Sequence, residues 1–281
     1  MNFPTLPPSF GWLDWRRTGP LPGLIIPGAM KAGTTSLFRY LEGHPQLAPA
    51  PRKEVHYFDR RFHRGADWYR RQFTHRRRCG AAGHAIACES SPYYMFEPRV
   101  PGRIRDLVPD VKLVFLLRDP VERAFSHYHN NRRLGREPLD FLSALAAEDD
   151  RTLAEEERLL AEPAHVSMPH RHYSYRRRGL YAEQLLRWHR FFPQEQMLVV
   201  DSARLFAAPA DVVADVLRFV GLDAWQPRSF AAKNEGRHDK AMPAAARHRL
   251  EAFFAPHEER LRRLIGWCPS QSDRSLRRRA A

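Results

Sequence analysis

Apolar residues fall in short runs separated by amphipathic stretches. Leu24-Ile25-Ile26 is a compact apolar run and reads as a buried strand. Pro27 to Gly33 form a turn. From Thr34 the pattern becomes helical, with Leu37, Tyr40 and Leu41 on one face, and Gly43 and Pro45 end it. Residues 85–89 read as a second short strand. The run KLVFLL at 112–117 is the clearest buried strand, and it leads straight into Asp119-Pro120-Val121-Glu122. An aspartate cap, a proline at the first helical position and a glutamate three residues after the cap predict a helix to about Arg133. Further helices are expected over 66–73, 101–107, 179–192 and 210–220, the last ended by Gly221. A strand is expected over 196–200, and two closing helices over 243–254 and 257–265. Residues 134–178 differ: an acidic helical stretch from Glu148 to Glu162 precedes a loop rich in His, Tyr and Arg. They read as an insertion over the site, not as a second domain. Strands alternating with helices predict an α/β fold, a three-layer domain with a central parallel sheet flanked by helices. The expected organisation is an irregular Pro-rich arm (1–20), one domain (21–268) and a disordered basic tail (269–281).

The length of 281 residues suits one such domain, and 43% hydrophobic residues suffice for a core. No apolar run reaches the roughly 18 residues of a membrane span. The start, Met1-Asn2-Phe3-Pro4, lacks the basic and apolar regions of a signal peptide, so a soluble cytoplasmic protein is expected. Three cysteines make no disulfide framework. Cys79 and Cys88 could pair across a short loop, but reduced thiols fit that compartment better.

Charge sharpens the picture. Lys plus Arg total 46 against 32 Asp plus Glu, a net +14. That excess favours an anionic partner: nucleic acid, anionic lipid, or a small phosphorylated or sulfated ligand. Only five of the 46 are lysines: Lys31, Lys53, Lys112, Lys233 and Lys240. A lysine kept against an arginine background is a candidate for a task needing a compact point charge. The arginine clusters at 76–78, 176–178 and 277–279 come with no nucleic-acid-binding motif. They read as solvated surface, and no nucleic-acid partner is expected.

The strand-to-helix loop Gly28-Ala29-Met30-Lys31-Ala32-Gly33-Thr34-Thr35-Ser36 has the makings of an anion site. Glycines let backbone N–H groups turn inward, and the helix N-terminus adds about half a positive charge. Lys31 and the hydroxyls of Thr34, Thr35 and Ser36 complete it. A nucleotide-triphosphatase loop would place its lysine directly after the last glycine; here Thr34 follows Gly33 and Lys31 lies inside the loop. Asp119 could mimic a magnesium-binding aspartate, though its better-supported role is the helix cap.

The loop KAGTTS after a strand resembles the 5′-phosphosulfate loop of the sulfotransferases that use 3′-phosphoadenosine 5′-phosphosulfate (PAPS), in their heparan-sulfate-type and bacterial branch. A second motif agrees. Residues 116–128 resemble the family's 3′-phosphate motif, where Arg118 and Ser126 match the arginine and serine that grip that phosphate. Lys53-Glu54-Val55-His56-Tyr57-Phe58-Asp59 resembles the KExHFFD stretch of the heparan-sulfate 3-O-sulfotransferases. A lone Lys-Glu pair is ordinarily a surface ion pair; the resemblance instead implies Glu54 as catalytic base, with His56 and Asp59 beside it. Gly179-Leu180-Tyr181 resembles the family's G-x-Y helix start and nominates Tyr181. Lys233-Asn234-Glu235-Gly236-Arg237 resembles the late basic loop that closes over the nucleotide, nominating Lys233, Gly236 and Arg237. One departure stands out: in Glu89-Ser90-Ser91-Pro92-Tyr93-Tyr94, Ser90 replaces a family lysine, and a charge near the acceptor is missing.

The resemblance implies an enzyme that moves a sulfuryl group from PAPS to a hydroxyl, or less readily an amine, of a glycan, glycolipid or natural product. The 3′-phosphoadenosine 5′-phosphate (PAP) is released. Lys31 and the N–H groups of Ala32, Gly33, Thr34, Thr35 and Ser36 would neutralise the leaving phosphate, with no metal required. A bacterial source is also implied. The rival readings are a small-molecule kinase using magnesium-ATP and a non-enzymatic basic module binding nucleic acid or anionic lipid. His127 and His129 at i, i+2 point to different helix faces and make no metal pair. His170 and His172 are expected in structural or acceptor-site roles. Oligomeric state is not legible.

Overall fold

The computed structural model describes residues 19–73, 86–231 and 241–270. Five parallel strands form one sheet in the order β2-β3-β1-β4-β5. They are β1 (Pro22–Gly28), β2 (Leu47–Pro49), β3 (Ile86–Ser90), β4 (Lys112–Leu117) and β5 (Met197–Asp201). In β4, Leu113 to Leu117 are all fully buried, as a strand covered on both faces must be. Each such side chain contributes roughly 1.5–3 kcal/mol by leaving water. β4 pairs with β1 on one side and with β5 on the other, Leu113 opposite Met197 through Leu117 opposite Asp201.

The helices are α1 (Thr34–Leu41), α2 (Tyr57–Arg60), α3 (Gly65–Arg70), α4 (Val100–Leu107), α5 (Pro120–Arg133), α6 (Phe141–Ala146), α7 (Glu148–Ala161), α8 (Met168–Tyr173), α9 (Tyr181–His189), α10 (Ser202–Ala207), α11 (Pro209–Val220) and α12 (Ala244–Ile265). They flank the sheet, giving the expected α/β architecture. Asp119 caps α5 as its sequence requires, its Oδ1 accepting from the N–H groups of Val121 (2.8 Å) and Glu122 (3.1 Å). Such a cap stabilises a helix by about 1 kcal/mol.

The strand order positions the site. From β1 the chain runs through α1 to β2 on one side, and from β4 it proceeds to β5 on the other. A crevice opens where connections leave adjacent parallel strands in opposite directions, at their carboxyl ends. Here that crevice lies between the 29–33 loop and Arg118-Asp119.

Several elements differ from expectation. β2 is three residues with a proline, too short and too weakly apolar to stand out. α8 occupies part of the stretch expected as loop, started by Pro169 and capped by the Ser167 hydroxyl on the His170 N–H (3.0 Å). The two closing helices are one, α12, which passes through Pro256. Leu250, Phe254 and Leu261 are all buried, and keeping that stripe continuous outweighs the one hydrogen bond the proline removes. Within residues 134–178, Phe141, Ala144, Leu145 and Tyr175 pack with Val121, Phe125 and Tyr128 of α5 and Leu250 and Phe254 of α12 in one buried cluster, as a stretch that is not a separate domain should.

Lys233, Gly236 and Arg237 lie outside the described residues, as do most of the expected arm, nearly all of the expected tail, and Cys79. Cys88 is buried in β3. Among the described residues no helix is long and apolar enough to cross a membrane.

Candidate active site

Lys31, Gly33, Thr34 and Thr35 line a cleft of about 770 Å³ at the switch point. Gly33 precedes α1 at φ 91°. A side chain there would be strained, and its Cβ would sit 3.1 Å from both Leu205 and the Phe206 ring. The N-terminal N–H groups of α1 are thereby presented at the cleft. Ala32 and Ser36 are fully buried beneath the loop, so Ala32 can serve an anion only through its backbone. The loop is tied to β4: Ala29 N–H donates to the Leu116 carbonyl (2.7 Å), and Arg118 Nη1 donates to the Lys31 carbonyl (3.1 Å). Burial lowers the Lys31 pKa, and the nearby Arg118, Arg133 and Lys53 lower it further, with Glu54 acting the other way. A cluster of cations this crowded favours an anion.

Arg118 and Ser126 reach the same cleft from β4's end and from α5. Asn130, four residues beyond Ser126 on the same face of α5, and Leu134 just past the helix end line the same wall. Tyr181 is placed differently from expectation. It is buried and does not line the cleft; its hydroxyl donates to the Arg118 carbonyl (2.9 Å). Burial pushes its pKa up to about 12, so it stays a neutral donor that holds the Arg118 backbone. Gly179, two residues earlier, allows this packing: a Cβ there would meet the Phe254 ring at 2.6 Å and Pro120 at 2.9 Å.

Glu54, His56 and Asp59 come together on the opposite side of Lys31's loop. Asp59 Oδ2 lies 2.8 Å from His56 Nδ1, and Glu54 Oε2 lies 3.2 Å from His56 Nε2. Lys53 Nζ donates to Glu54 Oε1 (3.1 Å). Burial would raise the Glu54 pKa, but the His56 bond and the Lys53 charge outweigh it and hold the carboxyl at about 2. Burial would lower His56, and the bonds to Asp59 and Glu54 more than reverse that, leaving it raised. Among the described residues, Lys31 (φ 70°), Glu54 (φ 64°) and His56 (φ 54°) are the non-glycine residues at positive φ. Each such conformation costs of order 1–3 kcal/mol and persists only where the surroundings over-determine it. That all three belong to this site marks it as built for placement, not for backbone comfort.

Sequence reasoning missed what holds the Glu54–His56 turn. Glu89, fully buried at the end of β3, accepts from the hydroxyls of Tyr69, Ser91 (2.9 Å) and Tyr94 (3.3 Å). Ser91 Oγ accepts the His56 N–H (3.2 Å), and the Tyr94 hydroxyl accepts the Tyr57 N–H (2.8 Å). The Ser90 carbonyl accepts the Glu54 N–H (3.0 Å). The available signal was a carboxylate inside an otherwise apolar strand. Burial pushes Glu89 up to about 7 against the lowering bonds from Tyr69 and Ser91. The folded protein therefore binds this proton when the unfolded chain, near 4.5, has lost it. Stability due to Glu89 falls as pH rises from about 4.5 to 7 and is level above. Glu89→Gln removes that dependence, so thermal melts should show the variant gaining on wild type across this interval and holding the gain at pH 8. A constant difference between the two at all pH values would reject a protonated Glu89.

The cleft is also lined by arginines that the sequence did not nominate for the site: Arg136, Arg171 and Arg178. The 176–178 cluster is not solvated surface. Arg178 is 3% exposed and lies over the rings of Tyr93 (4.8 Å) and Phe96 (5.3 Å). Arg176 pairs with Asp149 (2.8 Å) and Arg177 with Glu156. Acidic α7 accounts for this, supplying the carboxylates that draw the cluster inward. His170 is structural, stacked on Phe96 at 4.3 Å and bonded to the Tyr93 hydroxyl (2.7 Å), whereas His172 lines the cleft. Ser90 is fully buried and offers the cleft no charge. Among the described residues no group of three or more His, Cys, Asp or Glu is placed to hold a metal.

Comparison with known proteins places this geometry. Residues 21–250 match the sulfotransferase domain family. The chain is 30% identical over 270 residues to heparan sulfate glucosamine 3-O-sulfotransferase 6 of Mus musculus, covering 87% of this chain and 72% of that protein. It is 34% identical over 202 residues to the mouse 3-O-sulfotransferase 3A1, covering 72% of this chain and 46% of that protein. The crystal structure of a sulfotransferase from Alicyclobacillus acidocaldarius superposes with a TM-score of 0.73 at 32% identity, covering 90% of this chain and 99% of that one. Fold and site thus define an α/β group-transfer enzyme. The chain belongs to the PAPS-dependent sulfotransferase family and is a sulfotransferase. That assignment sets aside the kinase and the non-enzymatic readings.

Proposed function

We propose that the protein transfers the sulfuryl group of PAPS to a hydroxyl of a heparan-sulfate-type glycan. The observation that carries this is one cleft lined by three constellations: the Lys31 loop at the α1 N-terminus, Arg118 with Ser126, and Glu54 with His56, which the buried Asp59 backs from behind. The donor fits the first two. The cradle suits a 5′-phosphosulfate, and Arg118 with Ser126 suits a 3′-phosphate. Tyr40, Phe206, Pro209 and Phe230 add an aromatic and apolar wall of the kind that receives a base. PAPS supplies an activated sulfuryl group. Lys31 and the α1 amides neutralise charge gathering on the departing phosphate oxygen as its bond to sulfur breaks. Glu54 takes the proton of the acceptor hydroxyl as that oxygen bonds to sulfur. His56 and Asp59 orient Glu54.

The relatives named for heparan sulfate support a glycan acceptor. So does the wall of Lys53, Arg136, Arg171 and Arg178, which brings positive charge that Ser90 lacks. Residues 134–178 contribute three of those arginines and shape the acceptor side within a single domain spanning 21–268.

Titration calorimetry tests the donor. PAP should bind tightly without metal, with ADP much weaker and magnesium-ATP not preferred. Arg118→Ala should weaken PAP by roughly ten- to hundredfold more than it weakens ADP, the worth of a hydrogen bond to a charged group. Equal affinity for PAP and ADP in wild type would remove Arg118 and Ser126 from the 3′-phosphate.

A further inference from the structure

Two groups compete for one ring nitrogen of His56. Nδ1 faces the buried carboxylate of Asp59 at 2.8 Å, which makes Nδ1 a donor. Nε2 lies 3.2 Å from Glu54 Oε2 and 3.0 Å from Nη2 of Arg171. The carboxylate requires an N–H at Nε2; the guanidinium, which only donates, requires a lone pair. The ring therefore has two exclusive states. As an imidazolium it donates to both carboxylates and sets its charge and its N–H against Arg171. As a neutral imidazole protonated at Nδ1 it accepts from Arg171 and leaves Glu54 bonded to Lys53 alone.

Arg171 is well fixed for this contest. It belongs to α8, lines the cleft, and among the described residues has no carboxylate within ion-pair distance. Its guanidinium lies 5.9 Å from the Tyr93 ring centre, and its carbonyl accepts from Arg178 Nη2 (2.6 Å). The titratable and charged groups facing His56 are Asp59 from α2, which His56 precedes, Glu54 with its partner Lys53 from the preceding loop, Glu89 from β3, and Arg171 from α8. Arg60 adds positive charge beside Arg171. Both carboxylates bonded to the ring favour the imidazolium, and Arg171 opposes them.

We propose that Arg171 is a positioning residue for the proton transfer: it holds open the neutral state of His56, and so leaves the Glu54 carboxylate available to the acceptor hydroxyl. The assignment rests on Glu54 as the base. An imidazolium bound to Glu54 competes with the acceptor proton for the same oxygen; a ring turned to Arg171 does not.

The test reads His56 directly by long-range proton–nitrogen NMR titration of the ligand-free protein, with its signal assigned by loss in His56→Asn. Arg171→Met should raise the His56 midpoint by about one pH unit, the usual effect of removing a neighbouring cation. Arg171→Lys, which keeps a donor and a charge, should stay near wild type. Arg171→Gln serves if the methionine variant folds poorly, with the same upward shift expected. With PAPS and heparan sulfate oligosaccharides, the acidic limb of the kcat/KM profile should move up equally in Arg171→Met, so that the deficit is greatest at acid pH and shrinks at higher pH to the constant loss of the acceptor contact Arg171 makes. An unchanged or lowered His56 midpoint, or an acidic limb left at its wild-type position, overturns the proposal. If the oligosaccharides are not turned over by wild type, the acceptor reading fails, and the NMR midpoint still decides Arg171.

Discussion

Glu54→Gln is expected to lower kcat by roughly 10²–10⁴-fold, the usual contribution of a positioned general base. Glutamine is nearly isosteric and its carbonyl can still accept from Lys53, so the turn anchored on Ser90 and Ser91 should keep its shape. Affinity for PAP should change little, because the residues proposed to hold the nucleotide are others. The loss therefore belongs in kcat with saturating donor, measured as PAP release. Wild-type Glu54, held at about 2 before the acceptor arrives, is ionised throughout the neutral range. Its own ionisation should leave no mark on the pH profile between 5 and 9, and a limb seen there reports another group, with His56 the first candidate. Such a low value also makes Glu54 a weak base while His56 and Lys53 are both bonded to it. Releasing one of those bonds strengthens it, which is the reason the state of His56 matters. Retained activity in Glu54→Gln would move the base to His56.

Lys31→Met should cut kcat by roughly 10²–10³-fold, in line with removing one preorganised donor from a developing charge. PAP affinity should fall as well, since the ground-state phosphate meets the same ammonium. Methionine matches the stem of lysine and faces the same positive φ, so backbone strain is held nearly constant between the two proteins. Lys31→Arg should not rescue turnover: a planar fork cannot take the place of a point charge in a loop whose carbonyl is already bonded by Arg118. Ligand-free stability is expected to hold or rise in Lys31→Met, because Arg118, Arg133 and Lys53 all disfavour the Lys31 charge. A melting temperature well below wild type would mean that Lys31 is structural, and the kinetic loss would then say nothing about the leaving group.

Both substitutions act on residues the sequence nominates, Glu54 through its resemblance to a family motif and Lys31 also through a local pattern. The apolar run ahead of Gly28, the turn residues after it and the helical pattern from Thr34 specify strand, loop and helix by short-range preference alone. The same holds for β4, Asp119 and α5, where an apolar run and a cap lie side by side. The weaker elements were not legible for the converse reason. β2 is stable only as β3's neighbour, paired Leu47 to Ile86 through Pro49 to Cys88. The helices α6 and α10 run six residues each and depend on packing for their stability.

The sequence by itself determined the loops that follow β1 and β4 and the parallel α/β order, and through its resemblance to family motifs it nominated Lys31, Glu54, His56, Asp59, Arg118 and Ser126, because each rests on a contiguous stretch. Only the tertiary structure decided which side chains meet. It spends the Tyr181 hydroxyl on the Arg118 backbone, buries Arg178 between aromatic rings, places Glu89 under the Glu54–His56 turn, and sets Arg171 against His56 across 115 positions of chain. Burial and long-range contact are properties of the packed chain, and no local pattern of residues carries them.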